Sequence, residues 1–169
     1  VRARVPGGLL TAAQATAVAA LAEELGSGWV HLTTRQDLQV HDVALPATVD
    51  VMRRLLQAGL GCAGSGGDRV RNVMICPFAG LCPRQCFDVR PIVDELNRQL
   101  PGLAASYTLP RKFKIAVSGC DCDCALAVAN DLGFVARVRD GRAGVAVFAG
   151  GGMGMRSRLA DPLEPWLPL

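Results

Sequence analysis

Residues 109–124 read Leu-Pro-Arg-Lys-Phe-Lys-Ile-Ala-Val-Ser-Gly-Cys-Asp-Cys-Asp-Cys, so a basic motif, an apolar run and a cysteine pair follow one another directly. The apolar run predicts a strand from about Lys112 to Val117. Residues two apart on a strand point to the same face, so Lys112 and Lys114 should lie side by side. The strand would then lead within a few residues to Cys120.

The lysine pair is unusual in this chain. All other basic residues, 16 of the 18, are arginines. Arginine presents a planar fork of donors, whereas lysine presents a compact point charge. Two lysines one residue apart therefore indicate a place where compact ammonium groups are needed, as around a small anion.

Cys120-x3-Cys124 has an upstream counterpart, Cys76-x5-Cys82, and all seven cysteines lie in the middle of the chain. Zinc sites usually use pairs separated by roughly two to four residues, whereas iron-sulfur clusters accept wider spacings because the cluster is itself several ångströms across. With no secretory signal, the pattern favours cluster ligation over disulfides or over buried cysteines that act as small hydrophobes. Cys62, in a glycine-rich loop, is expected not to be a ligand.

Around these motifs the second half of the chain predicts an α/β domain over residues 66–169. Periodicity and turn residues predict a helix and two further strands, at Asp88–Leu100, Gly133–Val138 and Gly144–Ala149. The proline-rich end from Asp161 has no predicted regular structure and stops where a further helix could begin. We therefore expect the chain to be a fragment of a longer protein.

The first half predicts a small α+β lobe over residues 1–60, and the glycine-rich stretch 59–67 is the expected boundary. Its first helix should begin with the capping box formed by Thr11 and Gln14 and end at Gly26. The predicted strands and helices of this lobe are Val1–Val5, Thr11–Leu25, Trp29–Thr33, Leu38–His41 and Thr48–Ala58.

Composition excludes several classes of function. The formal net charge is only +3 and the basic residues are scattered, so the sequence does not predict a nucleic-acid partner. No apolar run approaches the roughly 20 residues that cross a bilayer, and the chain begins without the long apolar core of a signal peptide. We expect a protein of the cytoplasm with no membrane contact.

Five motifs in a defined order resemble the siroheme-containing nitrite and sulfite reductases along nearly the whole chain. They are Arg2-Ala-Arg-Val-Pro-Gly-Gly8, Thr33-Thr-Arg-Gln-Asp-Leu-Gln39, Arg71-Asn-Val-x-x-Cys76-Pro77, Leu109-Pro-Arg-Lys-Phe-Lys114 and Cys120-x3-Cys124. The resemblance implies a ferredoxin-like half-domain followed by an α/β domain that binds a 4Fe-4S cluster and siroheme.

The resemblance also implies residue roles. The cluster ligands would be Cys76, Cys82, Cys120 and Cys124, with the sulfur of Cys124 also bridging to the siroheme iron. The residues around the substrate anion would be Arg2, Arg71, Lys112 and Lys114. The siroheme contacts would be Thr33, Arg35, Gln39 and Asn72.

The implied activity is an oxidoreductase reaction, the six-electron reduction of sulfite to sulfide or of nitrite to ammonia. Electrons would come from a ferredoxin, a flavoprotein or an NAD(P)H-linked subunit. Because full enzymes of this kind contain two related halves, a second half-domain or a homodimer would complete the site. Two alternatives remain open: an oxygenase like precorrin-3B synthase, and a 4Fe-4S electron-transfer module without siroheme.

One departure from the family pattern concerns the second cysteine pair. The family usually has Cys-Pro-Asn-x-Cys, whereas this chain has Cys120-Asp-Cys-Asp-Cys124. The two aspartates are expected to bring negative charge to the cluster, which would lower its reduction potential. The extra thiol, Cys122, has no assigned role.

Overall fold

The computed structural model describes the backbone of residues 1–169 and every side chain except those of Ala104 and Tyr107. The first lobe contains a three-stranded antiparallel sheet in the order β1-β3-β2, with two helices packed together beside it. Its elements are β1 (Arg2–Ala3), α1 (Ala12–Leu25), β2 (Val30–Leu32), β3 (Leu38–Val40) and α2 (Thr48–Gln57).

Helix α1 begins as its sequence predicts. The Thr11 side chain accepts from the N–H of Gln14 at 3.2 Å, and the Gln14 side chain accepts from the N–H of Thr11 at 3.0 Å. This reciprocal pair satisfies two of the amides that a helix start leaves without partners. Gly26 ends the helix by donating its N–H to Ala22.

Side-chain alternation gives the first sheet two different faces. Ala3, Leu38 and Val40 face a core that α1 and α2 complete. Arg2 pairs with Gln39 across β1 and β3, and His31 pairs with Gln39 across β2 and β3. Because neighbours along a strand point to opposite faces, these three polar residues form a row on the face turned away from the core.

The second lobe contains a five-stranded mixed sheet in the order β4-β5-β6-β7-β8, parallel across the first three strands and antiparallel across the rest. Helix α3 packs against its β4 end. The elements are β4 (Met74–Ile75), α3 (Arg90–Gln99), β5 (Ile115–Ser118), β6 (Leu132–Arg139), β7 (Arg142–Ala149) and β8 (Asp161–Pro168). The predicted mixed α and β fold is confirmed.

Two sequence predictions were wrong in detail. Strand β5 begins at Ile115 rather than at Lys112, because before it only Phe113 forms a bridge, to Val70. The proline-rich end also forms a strand, β8, which pairs only with β7. An edge strand tolerates proline, since the N–H that proline lacks can be one that faces away from the ladder.

Among the described residues, no helix combines the length and the apolar character that crossing a bilayer requires.

Candidate functional site

A cavity of about 250 Å³ lies where the two lobes meet. All four cations that the resemblance assigns to the substrate line it, together with two of the predicted siroheme contacts. The lining residues are Arg2, Thr33, Thr34, Arg35, Arg71, Lys112 and Lys114. We call this space the cation cavity.

The two lysines reach the cation cavity because Phe113 between them is turned the other way. Phe113 packs against the apolar core of the second lobe, and its backbone bonds Arg69 at 3.1 Å and Arg71 at 2.9 Å. Lys112 and Lys114 therefore share the opposite face, as the sequence predicted, although β5 starts later. Within the described part of the chain, neither ammonium group has a hydrogen-bond or ion-pair partner.

The two arginines, by contrast, are held in place. Arg2 donates to Asp37 at 2.9 Å and to Thr33 at 3.3 Å. Asp37 is only 2% exposed and also accepts from the N–H of Val5, at 3.2 Å. Arg71 donates to the carbonyls of Ser65 and Gly67, and burial lowers the pKa of its guanidinium. The sequence analysis did not identify Asp37, although it lies inside the quoted Thr33–Gln39 motif.

Arg35 joins the two lobes from the wall of the cation cavity. Its guanidinium donates to the Asn130 side chain at 2.6 Å and to the carbonyls of Asn72 and Ile115, at 2.5 and 2.7 Å. Burial lowers the pKa of Arg35 to about 10, so the group remains charged at neutral pH. Its positive charge thus stays at the cavity while its N–H groups bind the second lobe.

The other two predicted siroheme contacts lie outside this cavity. Gln39 lines a neighbouring cavity of about 340 Å³ that shares Arg2 with the first. Asn72 is buried, and its Nδ2 donates to the carbonyls of Val5 and Arg35, at 2.7 and 3.1 Å. Its Oδ1 is buried without a partner among the described atoms.

The cysteines lie at the opposite end of the same strands. Cys76 follows β4 and Cys120 follows β5, and these neighbouring strands are parallel. Their carboxyl ends therefore share one edge of the sheet, and both Cys76 and Cys120 are buried there. Cys82 is half-buried and Cys124 is exposed.

The thiols of the four predicted ligands lie close to one another. Burial raises the pKa of Cys76, and the nearby thiols of Cys124 and Cys120 raise it further. At Cys120 the N–H of Cys122 lowers the pKa, but burial and the thiols of Cys122 and Cys82 outweigh it.

The donor set suits a cluster. Among the described side chains, no three of the residue types His, Cys, Asp and Glu converge closely enough to hold a single metal ion. Thiolates are the soft donors that iron-sulfur clusters use, and a cluster reaches ligands that are spread more widely. The four cysteines therefore fit a 4Fe-4S group, and the cations of the two cavities fit the carboxylates of siroheme.

The aspartates of the second cysteine loop are less free than the sequence suggests. Asp123 accepts from the Ser118 hydroxyl at 2.5 Å and from the N–H groups of Ala127 and Val128, at 2.7 and 3.2 Å. Asp121 pairs with Arg137 at 3.2 Å. Both carboxylates thus have partners within the chain. Their negative charge beside the cluster is therefore partly compensated.

Arg84 was missed by the sequence analysis. It lies beside the cysteines, since the nearby thiols of Cys122 and Cys82 raise the pKa of its guanidinium. Only its position two residues after Cys82 could have drawn attention to it, and that signal alone is weak.

Comparison with known proteins gives the family. The family model described as "Nitrite and sulphite reductase 4Fe-4S domain" matches residues 66–169, and the "Nitrite/Sulfite reductase ferredoxin-like half domain" matches residues 1–58. The ferredoxin–nitrite reductase of Leptolyngbya laminosa is 37% identical over 98% of this chain and 34% of its own length. The chain thus spans about a third of this relative.

Two solved structures share the fold. The Mycobacterium tuberculosis NirA protein superposes with a TM-score of 0.88 at 28% identity, over 99% of this chain and 31% of that one. Dissimilatory sulfite reductase I superposes with a TM-score of 0.86 over 100% of this chain and 58% of that one. At 13% identity the second likeness concerns the fold alone.

The sequence prediction of the family is confirmed, and the family model that matches residues 66–169 is that of a 4Fe-4S domain. By its two matched domains, its fold and the cysteines and cations that this fold brings together, the chain belongs to the nitrite and sulphite reductase family.

Proposed function

We propose that this chain is a catalytic region of a reductase that carries out the six-electron reduction of nitrite to ammonia, with ferredoxin as the electron donor. The cation cavity, lined by Arg2, Arg71, Lys112 and Lys114, is the observation that carries this proposal. Relatives named ferredoxin–nitrite reductase support the choice of nitrite and ferredoxin. Sulfite is the competing substrate, and turnover assays with each anion distinguish the two.

The chemistry of the cavity follows from its charges. Fixed cations around the oxygens of a small anion lower the energy of states in which negative charge builds up there. Arg2 and Arg71 are already held by protein acceptors, so they bring positive charge at little reorganisation cost. Lys112 and Lys114 have no described partner, which leaves their N–H groups available to bind the anion and to pass protons to oxygens that leave as water.

The cofactors supply the electron transfer, and the protein supplies ligands and orientation. We propose Cys76, Cys82, Cys120 and Cys124 as cluster ligands, with the exposed Cys124 also reaching the siroheme iron. Thr33, Arg35, Gln39 and Asn72 would contact the macrocycle.

The two sites lie at opposite ends of β4 and β5. The four residues of β5 alone separate them by roughly 13 Å at about 3.3 Å per residue. A single chain therefore does not bring its cysteines directly over its own cation cavity. We propose that a second half-domain, or a second copy of this chain, completes each site.

We further propose that residues 1–60 and 66–169 are the two domains, and that the protein works in the cytoplasm.

The test is an absorption spectrum of the anaerobically purified protein, with iron and acid-labile sulfide measured on the same sample. Siroheme bands with about four further irons are expected. Turnover of nitrite and of sulfite with reduced ferredoxin then identifies the substrate. A cluster without tetrapyrrole bands would favour the electron-transfer alternative, and turnover that requires oxygen would favour the oxygenase.

A further inference from the structure

The outer edge of β4 is closed by a side chain rather than by another strand. On one side β4 pairs with β5. On the other side the N–H of Ile75 donates to Gln36 Oε1 at 3.0 Å, and Gln36 Nε2 donates to the Ile75 carbonyl at 2.8 Å. The amide of Gln36 thus makes both hydrogen bonds that a neighbouring strand would make.

The same device occurs two residues earlier on the same edge. The N–H of Val73 donates to Asn97 Oδ1 at 3.1 Å, and Asn97 Nδ2 donates to the Val73 carbonyl at 3.4 Å. Asn97 belongs to α3, in the same lobe as β4. Gln36 comes from the other lobe and bonds the strand edge directly, whereas Asn97 is joined to that lobe only through Arg4, which donates to its Oδ1 at 3.1 Å among the described contacts.

The backbone of Gln36 is strained. Its φ of 57° lies in the left-handed region, which is unfavourable for a residue other than glycine. Gly8 packs against it so closely that a Cβ on Gly8 would approach the Gln36 Cβ to 2.9 Å. The surrounding fold therefore holds Gln36 in a conformation that its own backbone does not favour.

Gln36 also lies between the two sites. It follows Arg35, which lines the cation cavity, and its partner Ile75 immediately precedes Cys76. Its chain neighbour Arg35 thus lines one site, and its hydrogen-bond partner Ile75 lies next to a predicted ligand of the other. Because the cation cavity and the cysteines occupy opposite ends of β4, the segment that contains Gln36 spans the distance between them along the strand edge.

We propose that Gln36 is a positioning residue of the first lobe that holds Cys76, and through it the cluster, in place from outside the lobe that carries the cysteines. The effect of Gln36 on the cluster rests on the proposed function, in which the cysteines bind a cluster. The hydrogen bonds between Gln36 and Ile75 do not depend on that function. The competing explanation is that Gln36 only covers a strand edge, as Asn97 does.

Asn97 therefore provides the matched control. Gln36→Met and Asn97→Leu each replace an amide by an apolar side chain of similar size. The first removes two hydrogen bonds from Ile75 in β4, and the second removes two from Val73 just before it. Asn97→Leu also removes the 3.1 Å contact with Arg4, so it should lower the unfolding temperature at least as much. A purely structural role predicts the same behaviour for both variants at the cluster.

The experiment uses the full chain purified anaerobically with its cluster. It records the electron paramagnetic resonance spectrum of the reduced cluster and the rate at which a chelator removes iron. We expect Gln36→Met to release iron about tenfold faster than the wild type and to change the spectrum, the size of effect typical of lost outer-shell contacts. Asn97→Leu should match the wild type in both measurements. Equal behaviour of the two variants would overturn the proposal.

Cys76 gives a second measurement that needs no cluster. If the wild type carries no cluster, the proposed function fails, and alkylation of Cys76 in the purified protein then decides the inference. Cys76 is only 4% exposed, so it should react slowly in the wild type and in Asn97→Leu, and about tenfold faster in Gln36→Met. An unchanged rate in Gln36→Met would refute the positioning role.

Should Gln36→Met not fold, Gly8→Ala, which displaces the Gln36 side chain, takes its place with the same expected outcomes.

Discussion

The two ends of β4 and β5 are built in different ways. At the amino-terminal end, the cation cavity depends on contacts between the lobes, such as those of Arg35 with Asn72, Ile115 and Asn130. At the carboxyl-terminal end, the cysteines lie on turns that the second lobe forms alone, and Asp123 there has a φ of 46°. The positive site therefore requires contacts between the lobes throughout, whereas the thiol site rests mainly on backbone turns of one lobe, with Gln36 as its contact to the other.

The two ends also differ in which of their side chains already have partners within the protein. The arginines of the cation cavity already have protein partners, and only the lysines have none among the described residues. The cysteine thiols are crowded together, and burial raises the pKa of Cys76. We infer that the cavity is largely preorganised for its ligand, whereas the cysteine end acquires its final form when the cluster binds.

The largest expected effect comes from replacing a proposed cluster ligand at the cysteine end of the strands. Cys124→Ser should remove most of the iron and acid-labile sulfide and should also change the siroheme bands, because its sulfur is proposed to touch both cofactors. The matched control is Cys62→Ser, at a half-buried cysteine in the glycine-rich loop. Loss of the cluster in Cys62→Ser would show that the ligand set was chosen wrongly.

The next effect concerns the cavity alone. Lys112→Met or Lys114→Met should lower nitrite turnover about 100-fold, the cost of losing one charge-stabilising donor, while the iron content and the cluster spectrum stay unchanged. Steady-state kinetics with reduced ferredoxin measures this. The control is Arg111→Met, because Arg111 is exposed and is not among the cavity-lining residues. Normal turnover in both lysine variants would remove the anion-binding assignment.

A smaller effect tests how the cysteine turn is held. Asp123→Ala should lower the free energy of unfolding by about 3 kcal/mol, because it leaves two N–H groups and the buried Ser118 hydroxyl without their charged acceptor. Urea unfolding of the cluster-free and cluster-loaded forms measures the loss. Asp121→Ala, which removes only a surface ion pair, should cost about 1 kcal/mol or less. Equal losses would mean that the turn does not depend on Asp123.

The smallest effect concerns the potential of the cluster. Asp121→Asn should raise the reduction potential by less than about 59 mV, a tenfold change in a one-electron equilibrium. The carboxylate is 73% exposed and paired with Arg137, so solvent and the partner charge both screen it. A spectroscopic redox titration measures the shift. A larger rise would show that Asp121 acts on the cluster with little screening.

Local sequence signals predicted much of the fold. The capping box of Thr11 and Gln14 and the stop at Gly26 appear in the structure as predicted, because a helix end is decided by residues within one turn. The prediction failed for β8. Pro162, Pro165 and Pro168 argue against a strand, and only the position at the sheet edge, which depends on β7, makes the strand possible.

The site shows the same division. Residue type and spacing identified Lys112, Lys114 and the two cysteine pairs, since the chemistry of small anions and of iron-sulfur clusters demands those side chains. Spacing did not reveal Asp37 or Gln36. Their roles arise from hydrogen bonds to residues 32 to 39 positions away in the chain. Those of Asp37 exist only after the first lobe has folded, and that of Gln36 only after the lobes have packed.

The sequence by itself determined which groups are present: soft thiolates in two pairs, two compact ammonium groups and a surplus of arginines. It also determined the local turns and helix ends that carry them. Only the tertiary structure decided where these groups meet, with the cations at one end of β4 and β5 and the thiols at the other. The physical reason is that side-chain chemistry is a property of each residue, whereas the distance between two sites depends on long-range strand pairing and on the polar contacts between the lobes.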